Sequence, residues 1–222
     1  MRIIWDAIKR KEVYFIILYF ILDGFTNPSF ADFSYFFLMN VVGVSKFMFA
    51  MITLIGQVCS VIGVIIYGTF LRKVETRWVL FWNVIINIVG SFLNYCFAMR
   101  WNLEAGISDM AFIIFSDVVF GALSTAFQLL PLLSLFAKIC PKRIEGTMFA
   151  LLTGTYNLDQ SVIAPMMGSW INYQFVGVTK NDLSGYSTLC LISFICSFLG
   201  FLLLPLIPLR KDVRKSNRER KE

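Results

Sequence analysis

The sequence predicts an all-α membrane protein built on six transmembrane helices. Apolar residues make up 58% of its 222 positions and charged residues only 15%, whereas an ordinary soluble domain is about a quarter charged. A water-soluble core of this size could not bury so much Phe, Ile, Leu and Val. Six apolar stretches reach the roughly 20 residues that a helix needs to cross the hydrocarbon layer. The basic residues also sort into alternate connections, as they do in multi-pass chains.

The first stretch, 13–37, follows a basic start of Arg2, Lys9, Arg10 and Lys11 without a small-residue cleavage site, so it reads as a spanning helix and its own insertion signal. It carries Asp23, Asn27, Pro28 and Ser34. The second, 47–71, has Gly56, Ser60, Gly63 and Tyr67 on one face, a pattern suited to close helix contact. The third, 78–99, presents Asn83, Asn87, Gly90 and Asn94; Asn side chains commonly bond to a neighbouring helix, and this row reads as interhelical glue. In the fourth, 109–137, Asp117, Gly121, Ser124, Gln128 and Pro131 recur at helical spacing and form one stripe. The fifth, 147–173, repeats the pattern with Gly154, Asn157, Ser161, Pro165 and Gly168. The sixth spans 186–209. Pro28 and Pro131 predict kinks in the first and fourth. The organisation is then a cytosolic segment, 1–12, a transmembrane bundle, 13–209, and a disordered basic tail, 210–222.

With six spans both termini share a side with the 72–77 and 138–143 connections. All the Lys and Arg residues except Lys46, Arg100 and Lys180 fall on that side, which the positive-inside rule places in the cytosol. The net charge of +6 thus faces lipid headgroups, and nucleic acid is not an expected partner. Sorting signals for a particular membrane are not evident. The five cysteines form no CxxC pair, and there is no histidine, which removes the commonest metal ligand and neutral-pH base. Nothing resembles a P-loop or a dinucleotide fingerprint. Neither an enzyme, a cofactor nor a metal site is expected.

Polar side chains inside spans face a bundle interior or a water-filled cavity. Asp23, Asp117 and Asp159 each need a partner, a proton or water there; a structural and a functional role both fit. Asp32 sits near the far interface and is expected to be solvated. No Lys or Arg lies deep in a stretch, so a ligand would be neutral or zwitterionic unless another polypeptide supplied the cation.

The most distinctive segment is 130–168, with Pro131-Leu-Leu-Ser-Leu, then Cys140-Pro-Lys-Arg-Ile-Glu145-Gly-Thr-Met-Phe-Ala-Leu-Leu, Asn157 and Gly168. It resembles the C-terminal half of the folate–biopterin transporter family, a branch of the major facilitator superfamily. Pro28-Ser-Phe-Ala-Asp-Phe-Ser-Tyr-Phe and Tyr67-Gly-Thr-Phe-Leu-Arg-Lys-Val-Glu-Thr-Arg77 also resemble segments of that family, as do the 106–109 and 176–182 stretches. The resemblance implies a carrier of a folate- or pterin-like solute working by alternating access. Stretches one, two, four and five would line the path, with Asp23, Asn27, Asp117, Ser124, Gln128, Asn157 and Ser161 as candidate lining residues. Glu145 reads first as a helix-opening cap, and its pairing with Arg72 or Arg77 would resemble a cytosolic gate. Six helices match only the second half of a twelve-helix carrier. The expected partner is therefore a second six-helix half, as a homodimer or a separate subunit; a fragment of a longer carrier and a non-transporting membrane scaffold are the alternatives.

Overall fold

A computed structural model describes residues 11–139 and 145–209. The basic tail, the first ten residues and the Cys140–Ile144 corner lie outside the described residues. No strand occurs among those described. Five helical runs are long and apolar enough to cross a membrane: Val13–Val42, Lys46–Leu71, Thr76–Ala98, Asp109–Ala137 and Tyr186–Leu206. The run from Glu145 to Val176 is also continuously helical but more polar, and it packs among them.

The first run is two helices, α1 (Lys11–Thr26) and α2 (Ala31–Phe37), the second ending in a π turn, Leu38–Val42. The predicted break at Pro28 is present. Its cause is visible in the main chain, because the freed amide of Ser29 donates to the carbonyl of Ala164 at 2.9 Å. Ala164 opens α9 (Ala164–Ile171), so a kink in one span is satisfied by a carbonyl of another, as a bilayer demands. Gly168 lies so close to Ser29 that an added Cβ would collide with the Ser29 carbonyl oxygen.

Helix α3 (Lys46–Ile66), capped by the Ser45 hydroxyl and ending in a π turn, Tyr67–Leu71, is mostly exposed. Its predicted small-residue face packs on α7 through Gly63, which meets Ala122 and Ala126, whereas Gly56 faces open space. Helix α4 (Thr76–Ala98) is central, packing on α7 (Gly121–Ile139) and α10 (Tyr186–Ser197). Between α4 and α7 come α5 (Trp101–Glu104), α6 (Asp109–Ile113) and a π turn, Ile114–Phe120. Arg100 and Asn102 lock this connection by donating to the two oxygens of Asp109, each at 2.8 Å. Pro131 lies inside α7 without ending it. Helix α8 (Glu145–Leu158) runs through a π turn, Asp159–Ile163, into α9 and a further π turn, Asn172–Val176. The chain closes with α11 (Gly200–Leu203) and a 3-10 turn.

The first and fifth runs end alike. Val42-Gly43-Val44-Ser45-Lys46 and Val176-Gly177-Val178-Thr179-Lys180 each follow a π turn and place glycine at φ 79° and 80°, where other residues are strained. Each then buries its second valine. The Asn40 amide joins the two corners by donating to the Lys180 carbonyl at 3.0 Å. In the adjoining loop the Ser184 amide holds the exposed Asp182 carboxyl below its usual range.

The core is divided. One apolar cluster gathers Ile16, Phe20, Leu80, Leu132, Phe136, Met148 and Ile207 at the end of the bundle where α1 and α4 begin. The other gathers Phe37, Ile52, Phe97, Ile113 and Tyr186 at the opposite end. Polar side chains occupy the level between them.

The close contact at Gly168 gives a test. Gly168→Ala should destabilise the bundle by about 1–3 kcal/mol, as overpacking does. Gly154→Ala, where nothing lies within 4 Å, should leave the thermal midpoint unchanged or higher; thermal unfolding of the purified protein in detergent compares the two.

Candidate solute cavity

Between the two apolar clusters lies a cavity of about 310 Å³, at the lower end of the range for small-molecule sites. Its wall carries Asp23 and Asn27 from α1, Asn87 and Ser91 from α4, and Ser124 and Gln128 from α7. Tyr156 and Gln160 from the fifth run and Ser193 from α10 complete it.

Asp23, 6% exposed, organises the wall. One carboxyl oxygen accepts from the Asn27 side chain at 2.9 Å, one turn away on the same helix. The other accepts from the Gln128 side chain at 2.6 Å, which ties α1 to α7. Nearby, the Ser124 hydroxyl donates to Asn87 Oδ1 at 2.9 Å, tying α7 to α4. Two smaller polar cavities flank the main one. One, about 170 Å³, lies between Asn87, Asn94, Ser116 and Ser124. The other, about 240 Å³, lies between Ser29, Asp32, Ser161 and Pro165.

Of the predicted lining residues, Asp23, Asn27, Ser124 and Gln128 come together on one wall. Ser161 faces the neighbouring cavity instead. Asn157 is exposed on α8 and lines none of these three cavities. Asp117 lies in the π turn before α7, and its side chain is outside the described residues. The second run contributes nothing to the wall; its residues border an apolar groove elsewhere. The third run does contribute, so its Asn row is both glue, through Asn87 to Ser124, and lining. The sequence periodicity missed Ser91, Tyr156, Gln160 and Ser193. The signal for Ser91 was its place one turn after Asn87, but the others lie outside the small-residue stripes.

At the predicted cytosolic gate, Arg77 donates to the carbonyl of Ile207 at 2.6 Å and that of Pro205 at 3.2 Å. It thus caps the end of the last helix. Arg72 is exposed at the turn after α3, and the Glu145 side chain lies outside the described residues. Arg77→Ala should lower stability by about 1.5–3 kcal/mol, the worth of hydrogen bonds to a charged group. Arg77→Lys should recover only part of it, because one ammonium cannot reproduce the planar fork; thermal unfolding of the three proteins reads the order.

The sequence model of the BT1 family matches residues 1–222. The chain is 26% identical to the folate-biopterin transporter of Synechocystis sp. (strain ATCC 27184 / PCC 6803 / Kazusa), over all of this chain and 44% of the relative. It is 27% identical to folate transporter 2 of Plasmodium falciparum (isolate 3D7), over 90% of this chain and 43% of the relative. It is 29% identical to probable folate-biopterin transporter 6 of Arabidopsis thaliana, over 69% of this chain and 30% of the relative. The chain therefore spans less than half the length of these relatives. No solved structure matches it.

Proposed function

The chain belongs to the BT1 family, and from that membership and its polar cavity we propose that it forms the solute-binding bundle of a carrier for a folate- or pterin-like solute. It is an integral membrane protein of a transporter family, not an enzyme. The observation that carries the proposal is the wall around Asp23. Carboxylate, carboxamide and hydroxyl groups converge there at mid-bundle, and a pterin edge alternates N–H donors with nitrogen and oxygen acceptors. Asp23 and Asn87 supply acceptors; Gln128, Asn27 and Ser91 supply donors. Alternating access exposes this wall to one side of the membrane at a time.

Carriage needs an opposite wall. Thr125, Asn157, Gln160 and Ser161 are exposed polar groups within the spanning region, and in lipid each would lack the hydrogen bonds it needs. A second helical bundle covering this face, whether another copy or a separate half, supplies those bonds. That also accounts for a chain less than half as long as its relatives. The sorting of basic residues supports cytosolic termini.

Equilibrium binding of folate, biopterin and a non-pterin control to the purified chain in nanodiscs tests the reading. Saturable binding of the pterins is expected. Gln128→Leu should weaken it by about ten- to a hundred-fold, since an unpartnered buried polar group costs about 1.5–3 kcal/mol. Asn157→Ala should change it by less than about three-fold, as surface substitutions away from a site do. Equal binding of the control would overturn the solute class. Cross-linking in membranes should give a complex larger than one chain.

A further inference from the structure

We propose that Asp23 and Asp159 form a proton-sharing pair in which Asp159 carries the proton and Asp23 the charge. Asp159 opens the π turn of the fifth run and is 0% exposed. It packs directly over α1, where an added Cβ on Gly24 would collide with its Oδ1. Only a glycine at position 24 lets the two carboxyl groups meet at this depth, and they are near enough for their charges to interact.

Their surroundings differ in a way that assigns the proton. Asp23 accepts one carboxamide N–H on each oxygen, the arrangement that suits an ionised carboxylate, which can only accept. Asp159 accepts at one oxygen, from Gln160 at 2.9 Å. Its other oxygen is buried without a partner. A bare carboxylate oxygen sealed against a glycine is costly. A carboxylic acid OH there removes the charge and can donate toward its neighbour. The packing against Gly24 leaves a proton, rather than a coordinated metal ion, as the cation of the right size.

No basic side chain among the described residues neutralises the pair. The facing titratable groups are Tyr19 on α1 and Tyr156 on α8, and α9 contributes none. With one proton the pair holds a single negative charge between two carboxamides; without it, two. The dry bundle accommodates the first and excludes the second. Passage through a closed state therefore requires the proton, taken from water when the pair is hydrated and returned when it opens on the other side. No covalent bond of the solute changes. This coupling step rests on the carrier reading, whereas the proton assignment does not.

Infrared spectroscopy of the purified chain in nanodiscs tests the assignment directly. At neutral pH the wild type should show the carbonyl stretch of a protonated carboxyl, shifted in heavy water and lost in Asp159→Asn. The control Asp32→Asn, at an exposed position, should keep it. Absence of the band in the wild type, or its survival in Asp159→Asn, overturns the pair. Where uptake is measurable in vesicles, a pH gradient should drive up to about tenfold accumulation per pH unit for one coupled proton. Asp159→Asn should abolish that accumulation and leave solute exchange intact. Accumulation that persists in the variant overturns the coupling; a wild type that binds no pterin but keeps the Asp159 band overturns the carrier reading alone.

Discussion

The two hydrogen bonds that Asp23 accepts, one from Asn27 and one from Gln128, set the terms for the rest of the bundle. A carboxyl group at that depth has no water to fall back on, so the helices that supply its donors must stay in register. Gln128 fixes α7 against α1, and Ser124, one turn before it, carries the tie on to α4 through Asn87. The three helices are held by side-chain hydrogen bonds at the level where apolar packing is thinnest. Above and below, the divided core takes over, with Phe20 and Leu132 at one end and Phe37 and Ile113 at the other. A carrier built this way has a polar centre between two dry ends, and either end can part without exposing the other.

The π turns belong to the same design. Such turns are rare in soluble proteins and cluster at functional sites. Here one begins at Asp159, another contains Asp117, and two more lead into the matched glycine corners at residues 43 and 177. Each adds a residue to a turn and rotates the side chains beyond it about the helix axis. At Asp159 the carboxyl group thereby meets Gly24.

Much of the fold was legible in the sequence because lipid makes hydrophobic length a strong signal. The spans at 47–71, 109–137 and the break at Pro28 needed only the count of apolar residues and the missing proline N–H. The fifth span was equally legible as a helix, although Asn157, Asp159, Gln160 and Ser161 dilute its apolar character. The cavity was half legible. Helical spacing put Ser124 and Gln128 on one face of α7, and they do share a wall with Asp23. Spacing cannot say which neighbour a face meets, however. Asn157 follows the same rule and points away from the cavity, whereas Asn87, read as glue, lines it. The second run showed the opposite error, because its small residues serve contact with α7 and not a path.

The joint between Ser29 and Ala164 has a different implication. Donor and acceptor are both main chain, so replacing the serine side chain by alanine leaves the bond in place, and position 164 is alanine already. A survey of this protein by alanine substitution would score the joint as dispensable, though it fastens the broken first span to the fifth. Its only side-chain signature is indirect, in the bare Cα of Gly168 that makes room for it. What a mutational map records as silence at position 29 is, in this bundle, a weld.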